Sequence, residues 1–387
     1  MINLLLAIIY LSFISLGLPD GLLGAAWPTM CIEMDVPVSY AGLISITIAG
    51  GTILSSLLSD RLTLRFGTGK VTACSVAMTA MALFGFSVTK NYWVLFLWAI
   101  PYGLGAGSVD ASLNNYVALH YASRHMSWLH CMWGIGATTG PYLMGYALTS
   151  GAGWNAGYRY VAILQVALTA VLLFSLSIWK TRKLEIAEEK PERTAPLGLR
   201  EILRIPGAKE VMIGFFCCCA IENTAMLWSS TYLVRQIGFD EERAASLASL
   251  FFIGMTAGRF ISGFITMKMN DTNMIRLGQG IIGLGVLIMV LPLGELAATV
   301  GLVVIGLGCA PIYPCIIHST PEHFGAENSQ ALIGVQMASA YTGTLLMPPV
   351  FGLIANHISV ALFPVFMGII LIVMILMCEA LNRKTAK

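Results

Sequence analysis

The chain has 387 residues, of which 57% are hydrophobic and only 11% are charged. Soluble globular domains carry about a quarter charged residues, so this composition excludes a soluble protein and predicts a chain that crosses a membrane many times. The net charge of +2 excludes nothing by itself, but the positions of the basic residues along the chain are informative.

Twelve apolar segments follow one another, each about as long as the 20 residues that span a bilayer. The first six lie at 3–30, 38–59, 70–89, 92–119, 127–150 and 158–179. The second six lie at 209–234, 244–268, 274–292, 295–318, 328–354 and 359–380. The N-terminus lacks a basic region and a small-residue cleavage site, so we interpret the first segment as a spanning helix rather than a removed signal peptide. The pattern predicts an all-α membrane protein with twelve transmembrane helices.

A single long polar stretch separates the two sets of segments. We therefore predict an N-terminal six-helix bundle at 1–179, a linker at 180–208 and a C-terminal six-helix bundle at 209–387. Residues 197–204 of the linker have the pattern of a short amphipathic helix on the membrane surface. The nine cysteines show no spacing typical of a metal site or a disulfide framework, and we interpret them as small apolar residues.

The basic residues predict the orientation. With the N-terminus inside, 17 of the 22 Lys and Arg residues fall in inner loops, the linker or the tail, and four fall outside. Inner loops of membrane proteins are enriched in Lys and Arg, so both termini and the linker are predicted to be cytoplasmic. We expect a multi-pass protein of the cell membrane, in a bacterium the cytoplasmic (inner) membrane.

The two halves repeat each other. The run from Gly103 aligns with the run from Gly306, and Pro141 and Gly145 align with Pro348 and Gly352. Further matches at nearly the same offset are Asp35 with Asp240, Gly51 with Gly258, Ser55 with Ser262 and Arg61 with Lys268. Six helices per half preserve the orientation, which predicts parallel repeats related by an axis along the membrane normal.

The fourth segment carries an unusual polar group. Asp110 lies in an apolar run, just after glycines at 103, 105 and 107 that allow a neighbouring helix to approach closely. An ionised side chain at this depth costs at least a few kcal/mol, so such residues usually face the interior of the helix bundle and mark a transport pathway. We expect Asp110 to lie near the functional site.

Two parallel six-helix repeats with a basic central loop resemble the major facilitator superfamily over the whole chain. The pair Asp60-Arg61 and the later Arg65-Phe66-Gly67 resemble that family's loop signature between helices 2 and 3, with Ser56 in place of a glycine. Within the superfamily the chain is similar to the fucose permease branch. Pro19-Asp20-Gly21 corresponds to that branch's first-helix motif, and Gly105-x-Gly107-x-x-Asp110 with Asn114 corresponds to its fourth-helix motif.

This resemblance implies two bundles around a central cavity and proton-coupled uptake of a sugar. The chain departs from the branch at three positions: Asp110 replaces a glutamate, Gly17 lies where the first-helix amide is expected, and His130 replaces a fifth-helix glutamine. These departures leave open which sugar is carried. No cofactor, metal or nucleic acid is implied, and we expect a monomer in the bilayer.

Asp20 and Asp110 are the predicted proton-coupling pair. Burial favours the neutral carboxyl and water favours the carboxylate, so a carboxyl whose exposure changes during transport can carry a proton. The alternative for Asp20 is that it caps a helix break at Pro19–Gly21 and bonds only locally. In the second half, Glu222 and Arg259 lie at matching depths and predict a buried ion pair. Glu222 and Asn223 either orient the substrate or fix helix packing, and both possibilities stay open.

Recognition of a sugar needs amides or carboxylates for the hydroxyls and aromatic faces for the apolar side of the ring. The predicted substrate-binding residues are Asn114, His130, Trp133, Glu222, Asn223, Trp228, Tyr232, Tyr313, Gln336 and Tyr341. His130 is equally compatible with helix packing, and Trp133 and Trp228 with packing or lipid contact. We predict that Trp27, Trp93, Trp154 and Trp179 anchor the membrane interface and that His318 and His323 face water.

Three function classes compete. The first is a proton-coupled symporter of a monosaccharide or similar polyol, and the second is a proton-coupled exporter of drugs or lipids. The third is a sensor or intramembrane enzyme. The linker is too short for a signalling domain, and the chain has no His-Glu-x-x-His or Gly-x-Ser-x-Gly motif. We therefore expect a transporter and not an enzyme.

Overall fold

The computed structural model describes residues 2–179 and 195–386, and these residues form helices and connecting turns with no strand. Contacts divide the chain into two compact units, Met1–Tyr116 with Leu129–Leu197, and Val117–Trp128 with Gly198–Lys387. Most of the predicted linker, residues 180–194, lies outside the described residues.

The helices of the first stretch are α1 (Ile2–Gly17), α2 (Leu22–Glu33), α3 (Tyr40–Phe66), α4 (Thr68–Val88), α5 (Tyr92–His120), α6 (Ser123–Thr149) and α7 (Gly153–Phe174). Those of the second are α8 (Leu199–Ile202), α9 (Ala208–Tyr232), α10 (Glu241–Ile265), α11 (Asp271–Met289), α12 (Glu295–His318), α13 (Thr320–Phe324), α14 (Ala326–His357) and α15 (Phe363–Thr385). A π-helical turn at Leu233–Ile237 extends α9, and a 3-10 turn at Val360–Leu362 precedes α15.

All twelve predicted segments are helical. Among the described residues, ten helices or joined helix pairs are long and apolar enough to cross a bilayer, and α10 contributes a shorter apolar stretch at Leu250–Ile265. The remaining segment, the fifth in chain order, lies in α6, a 27-residue helix in which Arg124, His125 and His130 lower the apolar character. The expectation of an all-α, twelve-helix membrane protein is confirmed.

The repeated glycines make equivalent contacts in the two units. A Cβ built on Gly103 of α5 would lie 2.2 Å from the carbonyl oxygen of Ile48 on α3. A Cβ on Gly306 of α12 would lie 2.4 Å from the carbonyl oxygen of Phe251 on α10. Real side chains do not approach a backbone so closely, so both positions need glycine for the helices to touch. The predicted close helix approach at Gly103 is confirmed.

One predicted repeat match joins residues with different local roles. Asp240 has extended backbone and caps α10, with its carboxylate accepting a bond from the backbone N–H of Arg243 at 2.9 Å. Asp35 instead has a φ of 52°, in the turn that follows α2. The two acids are therefore not structurally equivalent.

The first segment is broken, and the break carries Asp20. Helix α1 ends at Gly17 and α2 begins at Leu22, with backbone turns between them. Proline fixes its own φ and disfavours helical conformation in the residue before it, so Leu18-Pro19 favours this interruption. No side chain caps α2, so capping of this helix is not the role of Asp20.

Three of the four predicted interface tryptophans are buried instead. Trp154 is 1% exposed and its Nε1–H donates to Glu33 Oε2 at 2.7 Å. Trp27 is 4% exposed and donates to the carbonyl of Val38, and Trp179 is buried over Gly69. Only Trp93 is exposed, as predicted. The prediction is wrong for the other three, because their indole rings pack between helices and bond to polar groups inside the first unit.

Candidate functional site

Asp20 lies at the helix break with two aromatic hydrogen-bond donors around it. Trp133 Nε1 on α6 donates to Asp20 Oδ2 at 2.9 Å. The hydroxyl of Tyr102 on α5 is also within hydrogen-bonding range of the Asp20 carboxylate. Asp20 itself is exposed, and Trp133 is half-buried. The two donors hold the Asp20 carboxylate in place, and a ligand or a proton can still reach it.

Small residues bring α6 against α1 at this point. A Cβ on Gly17 would lie 2.2 Å from the Trp133 carbonyl oxygen, and a Cβ on Gly140 would lie 1.9 Å from the Leu18 carbonyl oxygen. Any larger side chain at residue 17 would therefore push α6 away and separate Trp133 from Asp20. This explains physically why the amide expected by resemblance is replaced by Gly17.

Asp110 begins a chain of buried hydrogen bonds. Asn114 Nδ2 donates to Asp110 Oδ1 at 2.8 Å and to its backbone carbonyl at 3.0 Å. His130 Nε2 lies 3.1 Å from Asn114 Oδ1, and its ring meets Phe13 edge-on at 5.4 Å. Asp110, Asn114 and His130 are 4%, 0% and 5% exposed. Because the Asn114 amide oxygen can only accept, His130 donates through an Nε2–H.

The two carboxyl groups belong to one electrostatic system. Asp20 and Asp110 are both in the first unit and are close enough for their charges to interact. Asp20 lies at the helix break beside Trp133, whereas Asp110 is 4% exposed and bonded to Asn114, so the two carboxyl groups have different surroundings. Two such acids can hold a proton in one environment and release it in another.

In the second unit, Glu222 of α9 and Arg259 of α10 form a buried ion pair. Arg259 Nη2 lies 3.3 Å from Glu222 Oε1 and 3.4 Å from Oε2. Their side chains are 8% and 3% exposed, respectively. Charge neutralisation between two helices lets both groups remain at this depth.

The other predicted residues of the second unit fall into two groups. Asn223, Trp228, Tyr313 and Tyr341 are half-buried, with Asn223 bonded to Thr344 Oγ1 at 3.0 Å and Trp228 to the Pro348 carbonyl at 2.9 Å. Tyr313 donates to Met337 Sδ at 3.3 Å. Gln336 and Tyr232, in contrast, are 0% and 4% exposed, and the Gln336 amide is bonded to Thr320. These two side chains pack inside the unit and do not present a binding surface.

One residue beside Asp20 is absent from the sequence predictions, and one histidine lies elsewhere than predicted. Tyr102 was not selected, although it lies eight residues before Asp110 on α5, close to the same helix face. His318 was expected to face water, but its two ring nitrogens contact Asp271 and the Tyr121 carbonyl, so that expectation is wrong. Among the described residues, no group of three or more His, Cys, Asp or Glu is placed to hold a metal ion.

Comparison with known proteins identifies the family. The sequence model of the Major Facilitator Superfamily matches residues 9–324 and again residues 211–386. An uncharacterized transporter, y4wD of Sinorhizobium fredii, is 22% identical over 89% of this chain and 90% of its own length. Bypass of stop codon protein 6 of Saccharomyces cerevisiae is 22% identical over 66% of this chain and 56% of that protein.

The fold is shared with solved structures of the same superfamily. One structure of FucP superposes with a TM-score of 0.79 at 13% identity, covering 97% of both chains. A second, described as the E. coli fucose:proton symporter FucP, gives a TM-score of 0.72 at 13% identity over 97% of this chain and 98% of the other. The chain belongs to the Major Facilitator Superfamily, and it is a membrane transporter rather than an enzyme.

Proposed function

We propose that this transporter is a proton-coupled symporter of a small polar solute, with monosaccharides as the substrate class. The observation that carries the proposal is the pair of carboxyl groups in the first unit, Asp20 bonded to Trp133 at the helix break and buried Asp110 bonded to Asn114. FucP, a fucose:proton symporter, has the same fold and is compatible with this proposal.

Proton coupling follows from the different environments of the two acids. Removing water favours the neutral carboxyl group, and restoring water favours the carboxylate. Alternating access exposes a site first to one side of the membrane and then to the other. Asp110, bonded to Asn114, is the group that binds the proton during transport. The charge on Asp110 in turn affects the protonation of Asp20.

Substrate contact is proposed to centre on Asp20 and Trp133. An exposed carboxylate accepts hydrogen bonds from sugar hydroxyls, and a half-buried indole beside it offers a face to the apolar side of a sugar ring. Asn114 and His130 are fully engaged near Asp110, so we assign them to positioning that carboxyl group rather than to direct binding. The half-buried residues of the second unit, Asn223, Trp228, Tyr313 and Tyr341, remain proposed substrate contacts.

The test begins with purified protein and a thermal-shift screen against hexoses and pentoses. Any stabilising sugar is then followed in liposomes with an imposed proton gradient. We expect uphill uptake that stops when an uncoupler is added. Uphill uptake that survives the uncoupler overturns the proposal, and gradient-dependent efflux of ethidium without sugar transport would favour the drug exporter.

Matched variants separate a specific role of Asp20 from general damage to the protein. Asp20→Asn removes the charge at the helix break and is expected to abolish uphill uptake. Asp35→Asn removes an exposed acid from the turn at the end of α2 and is expected to leave uptake unchanged. Equal uptake by Asp20→Asn and wild type would contradict the assignment.

We further propose that both termini are cytoplasmic, on the strength of the 17-to-four distribution of basic residues. Fusing alkaline phosphatase or a fluorescent protein after residue 387 tests this orientation. Fluorescence without phosphatase activity is expected in a bacterial host, and the reverse result would require an inverted topology.

A further inference from the structure

The end of α12 carries a histidine whose two ring nitrogens are both occupied. His318 Nδ1 lies 2.5 Å from Asp271 Oδ2 at the start of α11. His318 Nε2 lies 3.0 Å from the backbone carbonyl oxygen of Tyr121. The second oxygen of the carboxylate, Asp271 Oδ1, accepts a hydrogen bond from Ser123 Oγ at 2.5 Å. His318, Asp271, Ser123 and the Tyr121 carbonyl thus form one connected hydrogen-bonded group.

A count of protons shows what this arrangement requires. A neutral imidazole has one N–H and one lone pair. Either neutral tautomer of His318 would therefore turn a lone pair toward an oxygen, at Asp271 or at Tyr121. One additional proton removes the conflict, whether it resides on the imidazole or is shared with the Asp271 carboxyl group. The geometry fits a histidine–aspartate pair that holds one proton more than a neutral histidine beside a carboxylate.

The pair is shielded enough for its charges to matter. The Asp271 side chain is 8% exposed and the His318 side chain is 19% exposed. Ion pairs at exposed sites contribute little, whereas buried ones are costly to break because an unpaired charge is left behind. Loss of the proton would therefore weaken the contacts that the pair makes.

Those contacts secure the turn between α5 and α6. Tyr121 and Ser123 belong to Val117–Trp128, which groups by its contacts with the second unit. Directly before and after it, residues to Tyr116 and from Leu129 group with the first unit. The His318 and Asp271 contacts must break before this segment can leave the second unit.

We propose that His318 and Asp271 form a proton-binding site, separate from the Asp20–Asp110 pair, that secures the segment Val117–Trp128 while it is protonated. The site lies at the helix ends that the basic residues predict to be cytoplasmic. Release of its proton to an alkaline cytoplasm frees the segment. This role is independent of which solute is carried.

Several other charged or titratable groups lie near the His318–Asp271 pair. Glu322 and His323 on α13 interact electrostatically with the pair, and the Cys315 thiol on α12 is in hydrogen-bonding range of Asp271. Within the segment, Arg124 Nε donates to His125 Nε2 at 3.3 Å. Burial and the Arg124 charge lower the pKa of His125, so protonation of His125 disturbs the segment only at acidic pH. Release on the alkaline side therefore reports on the His318 contacts rather than on His125.

The charge state can be measured directly in the full-length protein. Nitrogen-15 spectra of histidine-labelled protein in lipid nanodiscs distinguish imidazolium from neutral imidazole. At about pH 7.5, roughly one unit above the ordinary histidine value of about 6.5, we expect one of the six histidines to keep both N–H protons, or to share one with a carboxylate. That signal should vanish in His318→Gln and persist in the control His323→Gln. Six neutral imidazoles in wild-type protein, none of them sharing a proton with a carboxylate, would overturn the proposal.

Hydrogen exchange tests the mechanical consequence without relying on the His318 variant. After correction for the intrinsic pH dependence of exchange, protection of residues 117–128 in wild-type protein is expected to fall at least about tenfold between about pH 7 and pH 9. Asp271→Asn should lower protection already at pH 7 and remove the pH response. Asp110→Asn should change neither the protection at pH 7 nor its pH response. Failure of the symport proposal is therefore distinguishable from failure of the His318–Asp271 proposal. If the protection of residues 117–128 in wild-type protein did not change with pH, the pair would not secure this segment by holding a proton.

Discussion

Glu222→Gln is expected to destabilise the second unit strongly. The substitution keeps the shape of the side chain but leaves the Arg259 guanidinium, which is 3% exposed, without its neutralising carboxylate. At the observed separation of 3.3 Å, an effective dielectric constant of about 20 gives an attraction of about 5 kcal/mol. Removing one partner of a buried pair typically costs about 3–5 kcal/mol, which agrees with this magnitude. We therefore expect a loss in that range in the free energy of unfolding.

Denaturation of the purified protein in mixed micelles measures the loss. The informative comparison is the double variant Glu222→Met with Arg259→Met, which removes both charges and should recover most of the stability. A Glu222→Gln loss below about 1 kcal/mol, or a double variant as unstable as the single one, would refute the reasoning. If the stable double variant still transports, the pair fixes packing; if it folds but binds no substrate, Glu222 orients the substrate.

Further predictions concern the first unit and the connecting turn. Gly140→Ala should cost about 1–3 kcal/mol in thermal or denaturant unfolding, because its Cβ would lie 1.9 Å from the Leu18 carbonyl oxygen, whereas Gly24→Ala, with open space around it, should be neutral or stabilising. His130→Gln keeps an N–H donor and should retain most proton-driven uptake, while His130→Leu should lose it; equal uptake by both would remove His130 from the positioning role. Burial lowers the pKa of His125 below that of the unfolded chain, so stability should fall as the pH drops below about 6.5, and His125→Gln should reduce that fall.

The fold was predictable from the sequence because bilayer thickness and hydrophobicity leave few alternatives. Segment length located all twelve membrane-spanning segments, and the repeated glycines at 103 and 306 predicted helix contacts that recur in both units. Where a residue's role depends on side-chain packing, prediction was weaker. Trp154 is a tryptophan near the end of a segment, as interface anchors usually are. It is nevertheless buried, and its indole N–H donates to Glu33.

The candidate site was predictable in part. Asp20 and Asp110 were recognisable because a carboxylate in an apolar segment is costly. The bond from Trp133 to Asp20 spans 113 positions in sequence, and no local pattern specifies such a contact. Gln336 and Tyr232 were predicted as substrate-binding residues from their residue types alone. They are buried, because the helix faces that carry them pack inward. The His318–Asp271 contact likewise depends on where the α5–α6 turn lies.

The most direct measurement compares two modes of transport by Asp110→Asn in the same liposomes. Uphill uptake needs proton binding and release, whereas exchange of labelled for unlabelled sugar at equal concentrations needs only alternating access. We predict that Asp110→Asn retains exchange and loses uptake driven by a proton gradient. Uphill accumulation by Asp110→Asn at the wild-type level would contradict a proton-coupling role for this carboxyl group.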